Sequence, residues 1–241
     1  MTLDRRAQLF AFLLGIFVTS LLVGDIIGGK LIEVGLLGSP RIVSVGMIPF
    51  PVTFLLTDIL NEFYGQKAAR LVTLVGFFMA VFAFVLIAVA GVPAWATLTR
   101  EPGYPGMVEA SFVNVFAGSQ RILLASMVAY LFGQFLDITI FNLLKRLTSN
   151  RYLWLRATGS TLVSQLVDTV VIQYLAWTGT LTAVKLVELV STGYTIKLLV
   201  AVALTPLIYA GHALVERVLG IAPVRLDARG EPISPGPPPT T

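Results

Sequence analysis

Leu131-Phe132-Gly133-Gln134-Phe135-Leu136-Asp137 and Leu162-Val163-Ser164-Gln165-Leu166-Val167-Asp168 carry one polar pattern, Gln-x-x-Asp, at the heart of two long apolar segments. Residues three apart share a helix face, so each Gln lies beside its Asp. An ionised Asp at the centre of a membrane helix costs roughly 2.5–3.5 kcal/mol on insertion scales, which keeps it away from lipid and marks it as a functional candidate. The two segments, joined by a basic loop, therefore read as two walls of a polar cavity inside a bilayer.

Composition supports that setting. The 241 residues are 56% hydrophobic and only 12% charged, with a mean hydropathy of +0.85. Soluble domains carry about 25% charged residues, so the pattern is that of a polytopic membrane protein. The net charge of +4 comes from short loops between apolar runs, not from one patch, and does not point to nucleic acid. Cysteine is absent and His212 is the sole histidine. That excludes thiolate chemistry and disfavours a multi-histidine metal site or a Ser-His triad, and no cofactor is expected.

Working outward, six transmembrane helices are expected, in an all-α bundle over residues 1–220. The first runs from Leu9 to about Gly24 and is read as an uncleaved helix, not a signal peptide. The second covers about Ile42 to Tyr64 and is expected to be interrupted by Pro49 and Pro51, as in the broken helices of transporters. The third, Leu71 to Val92, is almost purely apolar; its bare face permits a homodimer without demanding one. A short surface helix is expected over Met107–Phe116. The fourth and fifth spans are Ile122–Leu144 and about Leu155–Thr178. Leu181–Val190 reads as an interfacial segment before the sixth span, Ile196–Leu219. Residues 221–241 are rich in Pro, Gly, Arg and Thr, and read as a disordered tail. Of the seventeen Lys and Arg, eleven fall on one side of this arrangement and six on the other, which predicts cytoplasmic termini. At ~1.5 Å per residue, Asp58, Asp137 and Asp168 lie about 14, 12 and 18 Å from the nearest basic loop residue, near the middle of a ~30 Å hydrocarbon core.

Around this layer the polar residues form stripes. Ser126, Tyr130, Gln134, Asp137 and Phe141 share one face of the fourth span; Thr158, Thr161, Gln165 and Asp168 share one face of the fifth. Ser, Thr and Gln on such faces also serve as plain helix glue at about 0.6 kcal/mol each, but glue needs no ionisable group. A carboxylate accepts two hydrogen bonds from a planar N–H pair, and a Gln amide offers one donor and one acceptor. Asp and Gln with a stacking ring from Tyr130, Phe141 or Trp177 suit a flat polar heterocycle of guanine type, among other ligands. Asp58, Asn61 and Glu62 share a face on the second span, and Glu62 has Lys67 and Arg70 as an alternative, interfacial explanation. Lys197 and Arg121 open their spans and either snorkel or pair with a buried acid. His212 continues a stripe with Thr205 and Tyr209, as an interface residue or a proton relay.

Thr57-Asp58-Ile59-Leu60-Asn61-Glu62-Phe63-Tyr64-Gly65, followed by Ala69-Arg70, resembles the signature of the queuosine precursor transporters, also called the vitamin uptake transporter family. Gly133-Gln134-Phe135-Leu136-Asp137 through Lys145, Leu155-Arg156 through Asp168-Thr169, and Tyr194-Thr195-Ile196-Lys197 through Tyr209 agree with it. The resemblance implies a six-helix protein of the bacterial inner membrane, similar in fold to vitamin-binding S-components. It implies import of 7-cyano- or 7-aminomethyl-7-deazaguanine, and not an enzyme.

On this reading Asp137, Asp168, Gln134 and Gln165, with Tyr130, Asp58 and Asn61, hold the ligand. Glu62, Lys197 and Arg156 couple or gate, a role open to Asp58 as well. The alternative is a substrate-binding subunit that needs an ATP-driven partner, since no Gly-x-x-x-x-Gly-Lys-Ser/Thr occurs. A third reading, an intramembrane acid protease with paired Asp, lacks the Gly-x-Gly-Asp pattern.

Overall fold

A computed structural model describes residues 4–28, 30–36, 39–117, 120–179 and 181–227. The first helix, α1, spans Arg5–Ile27, and Asp4 caps it by accepting the Ala7 N–H at 2.6 Å. An antiparallel hairpin follows, β1 over Leu31–Leu36 and β2 over Ser39–Ser44, with Leu31 opposite Ser44 and Leu36 opposite Ser39. These residues were expected to be a polar exit and the start of the second span. Their hairpin delays that span to α2, Phe50–Ala90.

The two prolines do not break this helix. Pro49 is its N-cap and Pro51 lies in its first turn, where the missing N–H would have no intrahelical acceptor anyway. The expected interruption is therefore replaced by a normal helix start.

The break comes at Gly65. Its φ of 83° and ψ of 171° interrupt the 41-residue element in a region essentially reserved for glycine. The two arms then lie differently against α1. Arg6 donates to the Phe63 carbonyl at 2.5 Å, while Pro49 packs beside Gly24, so the first arm runs antiparallel to α1. Gly76 faces Phe17 and Leu21, so the second arm turns back and runs parallel to it. Leu13 and Phe17 join Leu56, Leu60, Phe63 and Val72 in one core cluster that ties α1 to both arms.

Beyond a short turn, α3 (Glu109–Phe112), come α4 (Gln120–Leu147) and α5 (Leu153–Trp177), joined by a tight loop in which Ser149, Asn150 and Tyr152 have positive φ. The last helix, α6, is continuous over Ala183–Ala213, absorbing the expected interfacial segment into the span; Pro206 lies inside it. Residues 221–227, read from composition as the start of a disordered tail, fold back and dock. Ile221 is buried, and the Val224 N–H donates to the Glu62 carbonyl at 2.8 Å. The rest of that expected tail, 228–241, lies outside the described residues.

Four segments are long and apolar enough to cross a membrane: Arg5–Ile27, Val45–Ala90, Leu124–Leu147 and Ala183–Arg217. Helix α5 is more polar, and its polarity is inverted. Arg156, Ser160, Ser164, Gln165, Asp168 and Thr169 are buried, whereas Trp154, Val163, Leu166, Val170 and Tyr174 are exposed. A helix that hides its polar face and shows its apolar one is solvated by lipid, not water. The arrangement is that of an all-α membrane protein.

Candidate functional site

The first arm of α2 supplies the centre. Asp58, Asn61 and Glu62 are one turn of a helix that packs against α4 and α6 and is joined to α5 through Arg156, and each is almost fully buried. Glu62 anchors an ion cluster. Arg156 meets its carboxylate with two parallel hydrogen bonds, Nη2 to Oε1 at 2.8 Å and Nε to Oε2 at 3.1 Å. Lys145 Nζ adds a third at 2.9 Å, and His212 Nε2 stands 3.8 Å from Oε1. The guanidinium also lies over the Phe141 ring, 5.8 Å from its centroid. Beside this cluster Asn142 donates to the Asn61 amide oxygen at 2.8 Å.

One turn along, the same helices hold a second polar layer that is only partly paired. Ser164 donates to Asp137 Oδ1 at 2.9 Å. Asp168 Oδ2 accepts from Lys197 Nζ at 2.5 Å, and that ammonium also sits 4.4 Å from the Phe50 ring centroid. Six buried atoms in this layer have no hydrogen-bond partner among the described residues: Asp58 Oδ1, Asp137 Oδ2, and the amide oxygen and nitrogen of both Gln134 and Gln165. Buried polar atoms are paired in the great majority of cases, so four residues left open together make this layer the candidate binding site.

Two voids adjoin these layers. A cavity of about 30 Å³ between α2, α5 and α6 is lined by Asp58, Thr161, Gln165 and Lys197, with Phe50 and Phe54 on its apolar side. A chamber of about 270 Å³ lies on the far side of the ion cluster, against Glu62, Arg156, Tyr209 and His212.

Comparison with known proteins identifies the lineage. The family described as "Putative vitamin uptake transporter" matches residues 44–211. The chain belongs to the vitamin uptake transporter family. Among its relatives, a Bacillus subtilis (strain 168) protein named "Probable queuosine precursor transporter" is 31% identical over 71% of this chain and 72% of its own length. The Escherichia coli (strain K12) "Queuosine precursor transporter" is 31% identical over 55% of this chain and 54% of its own. A Haemophilus influenzae "Probable queuosine precursor transporter" is 31% identical over 52% and 48%. No solved structure matches. The family match contains both polar layers except His212, while α1 and residues 221–227 lie outside it.

In this family member the sequence-derived candidates separate into three groups. Asp58 and Gln165 reach the small cavity together with Lys197. Gln134 and Asp137 stand in the same layer, buried and partly unpaired, but do not line that cavity; Asp168 is turned to Lys197 and packs against Gly133. Glu62 and Arg156 are joined directly, and Asn61 is engaged by Asn142. Tyr130 is not brought to this group. It lies between α1 and the second arm of α2, where its hydroxyl donates to the Thr73 carbonyl at 2.9 Å and its ring sits near Phe17.

Four residues at the site escaped the sequence reading: Lys145, Asn142, Phe50 and Phe54. Lys145 and Arg156 look like loop cations, yet they pair with Glu62, which displaces Lys67 and Arg70 as its expected partners. Lys145, four residues after Phe141, does extend the Asp137 stripe by about two turns, a periodic signal that was present, whereas Asn142 lies off that face. Phe50 and Phe54 are four apart on the face of Asp58, the pattern of an aromatic wall.

Proposed function

We propose that the chain imports a queuosine precursor, a 7-deazaguanine bearing a 7-cyano or 7-aminomethyl group, across the bacterial inner membrane as a secondary transporter. The observation that carries this reading is the set of unpartnered buried atoms on Asp58, Gln134, Asp137 and Gln165. A guanine-type edge presents adjacent N–H donors beside a carbonyl. Carboxylate oxygens accept the former and a Gln amide N–H serves the latter. Phe50 and Phe54 supply an apolar face for the ring. The names of the relatives point to the same solute class.

Six passes are part of the proposal. A straight helix of 41 residues would reach about 60 Å, twice the ~30 Å hydrocarbon thickness, so the arms on either side of Gly65 serve as separate passes. With α1, α4, α5 and α6 they make six, leaving both termini on one face. Internal pairing removes Lys145 and Arg156 from the richer side of the charge count and Lys197 from the poorer, so the basic excess still favours cytoplasmic termini.

A cavity of about 30 Å³ is far below the ~300 Å³ and more of ordinary small-molecule pockets. Loading therefore requires α6 to swing from α2 and α5, parting Lys197 from Asp168. Uptake of labelled deazaguanine by cells unable to make the precursor tests the assignment. Asp58→Asn and Gln165→Leu should each lower uptake at least roughly tenfold at unchanged protein level, the loss of one strong hydrogen bond. Undiminished uptake in both would refute it.

A further inference from the structure

We propose that residues 221–227 form a door over the inner end of the transport route, and that the chamber of about 270 Å³ beneath them is the vestibule the solute enters on leaving the central layer. This rests on the transport reading above.

Three helices line both voids, one step apart, and Lys145 of α4 adds to the wall of the chamber. The small cavity meets Asp58 on α2, Thr158 on α5 and Ile208 on α6; the chamber meets Glu62, Arg156 and Tyr209. Between them stands the Glu62–Arg156 pair, a bar across a single path. The fourth wall of the chamber is Pro223, Val224 and Arg225. A solute passing the bar has these residues in front of it.

The segment is held in the manner of a latch. Ile221 is buried and its N–H donates to the Val215 carbonyl at 3.2 Å, which fixes the hinge end. From Ala222 to Asp227 every side chain is partly or fully exposed. The free end is caught by the Asn150 side chain, whose Oδ1 accepts the Leu226 N–H at 3.0 Å and whose Nδ2 donates to the Leu226 carbonyl at 2.9 Å. Midway, Val224 N–H donates to the Glu62 carbonyl at 2.8 Å. Little apolar surface opposes lifting, and the polar contacts exchange readily for water. Glu62 also links the two barriers: its carboxylate holds Arg156 and its carbonyl holds the door. A solute that displaces Arg156 shifts the turn of α2 on which Val224 rests, so opening of bar and door is coupled.

The chain has no cysteine, so introduced thiols are unique reporters. Leu153→Cys in the full-length protein, in membrane vesicles, places one thiol on the chamber wall. A membrane-impermeant maleimide applied from each side in turn should label it from one side only, roughly tenfold faster when Asn150→Ala removes the catch. Equal rates with and without Asn150→Ala overturn the door. In a second protein, Asn150→Cys with Leu226→Cys is tied by a short bis-thiosulfonate. Import of labelled deazaguanine should fall to background and return on reduction; import at the untied rate overturns the proposal. If the untied protein imports nothing, the transport reading fails, and the labelling rates still decide whether the segment covers the chamber.

Discussion

Arg156 grips Glu62 in a two-pronged fork, with contacts of 2.8 and 3.1 Å, at a depth where neither side chain is more than 4% exposed. Lys145 shares the same carboxylate. One anion therefore faces two cations, with His212 as a polar neighbour. The geometry matters more than the charge count, because a planar guanidinium matches both carboxylate oxygens and an ammonium does not. Arg156 spans the distance between α5 and α2, so it clamps the first arm of α2 to the bundle.

Removing the shared anion should be the most costly single change in this cluster. Glu62→Gln leaves two buried cations without a counter-ion, and breaking a buried pair in this way costs about 3–5 kcal/mol. Lys145→Met leaves the Glu62–Arg156 fork intact and should cost much less. The check is thermal unfolding of both purified variants in the same detergent. Equal melting temperatures would show that the fork does not clamp the first arm of α2 to the bundle.

The Asp168–Lys197 pair offers a cleaner test of coupling. Its partners lie on α5 and α6, 2.5 Å apart and 10–12% exposed. Asp168→Asn strands an ammonium, and Lys197→Met strands a carboxylate. The double variant strands neither, so it should be more stable than the sum of the single losses predicts, by about 1–3 kcal/mol. Strict additivity in a double-mutant cycle would mean that the ion pair does not tie α5 to α6. In uptake measurements the double variant should stay impaired, because Asp168 and Lys197 border the layer proposed to hold the ligand.

Gly65 should tolerate no side chain. At φ 83° and ψ 171° it occupies backbone space that a Cβ makes strained, although Val224 at 4.0 Å leaves room for one. Gly65→Ala should therefore destabilise through the backbone by about 1–3 kcal/mol, with no steric contact to relieve. Folded yield and melting temperature report it. An unchanged protein would mean that the arms do not turn back at this residue.

The parts of this architecture that were legible from sequence rest on strong local signals. Apolar runs located the four segments long and apolar enough to cross a membrane, though not the start of the second, and the positions of Gln134, Asp137, Gln165 and Asp168 at helical spacing correctly implied buried faces. What was not legible was pairing across the bundle. Lys145 and Arg156 border a basic loop, and a linear reading cannot distinguish a cation that snorkels to water from one that folds inward to an acid 83 or 94 residues earlier. Tyr130 shared the stripe of Gln134, yet a helix face is wider than one site, and its hydroxyl found the second arm of α2 instead. Pro49 and Pro51 looked like breaks because the hairpin before them disguised where the helix starts. Residues 221–227 looked unable to pack, since composition does not register backbone hydrogen bonds such as that between Val224 and Glu62.

Two glycines predict opposite responses to one methyl group. At Gly76 an added Cβ would stand 2.7 Å from Phe17 Cε1, 2.8 Å from the Tyr130 hydroxyl and 3.2 Å from Leu21 Cδ2. Phe17 is fully buried, so it cannot withdraw without opening the cluster that joins α1 to both arms of α2. Gly76→Ala should thus cost about 1–3 kcal/mol, the usual penalty of overpacking. At Gly15, also within a helix, nothing lies within 4 Å of the added atom. Gly15→Ala relieves the helix of a flexible residue, and should be neutral or stabilise by up to ~1 kcal/mol. Melting the two variants in parallel separates close packing of α1 on the second arm from mere proximity. If Gly76→Ala melts with the wild type, the second arm does not press against α1, and the hairpin at Gly65 loses its main support.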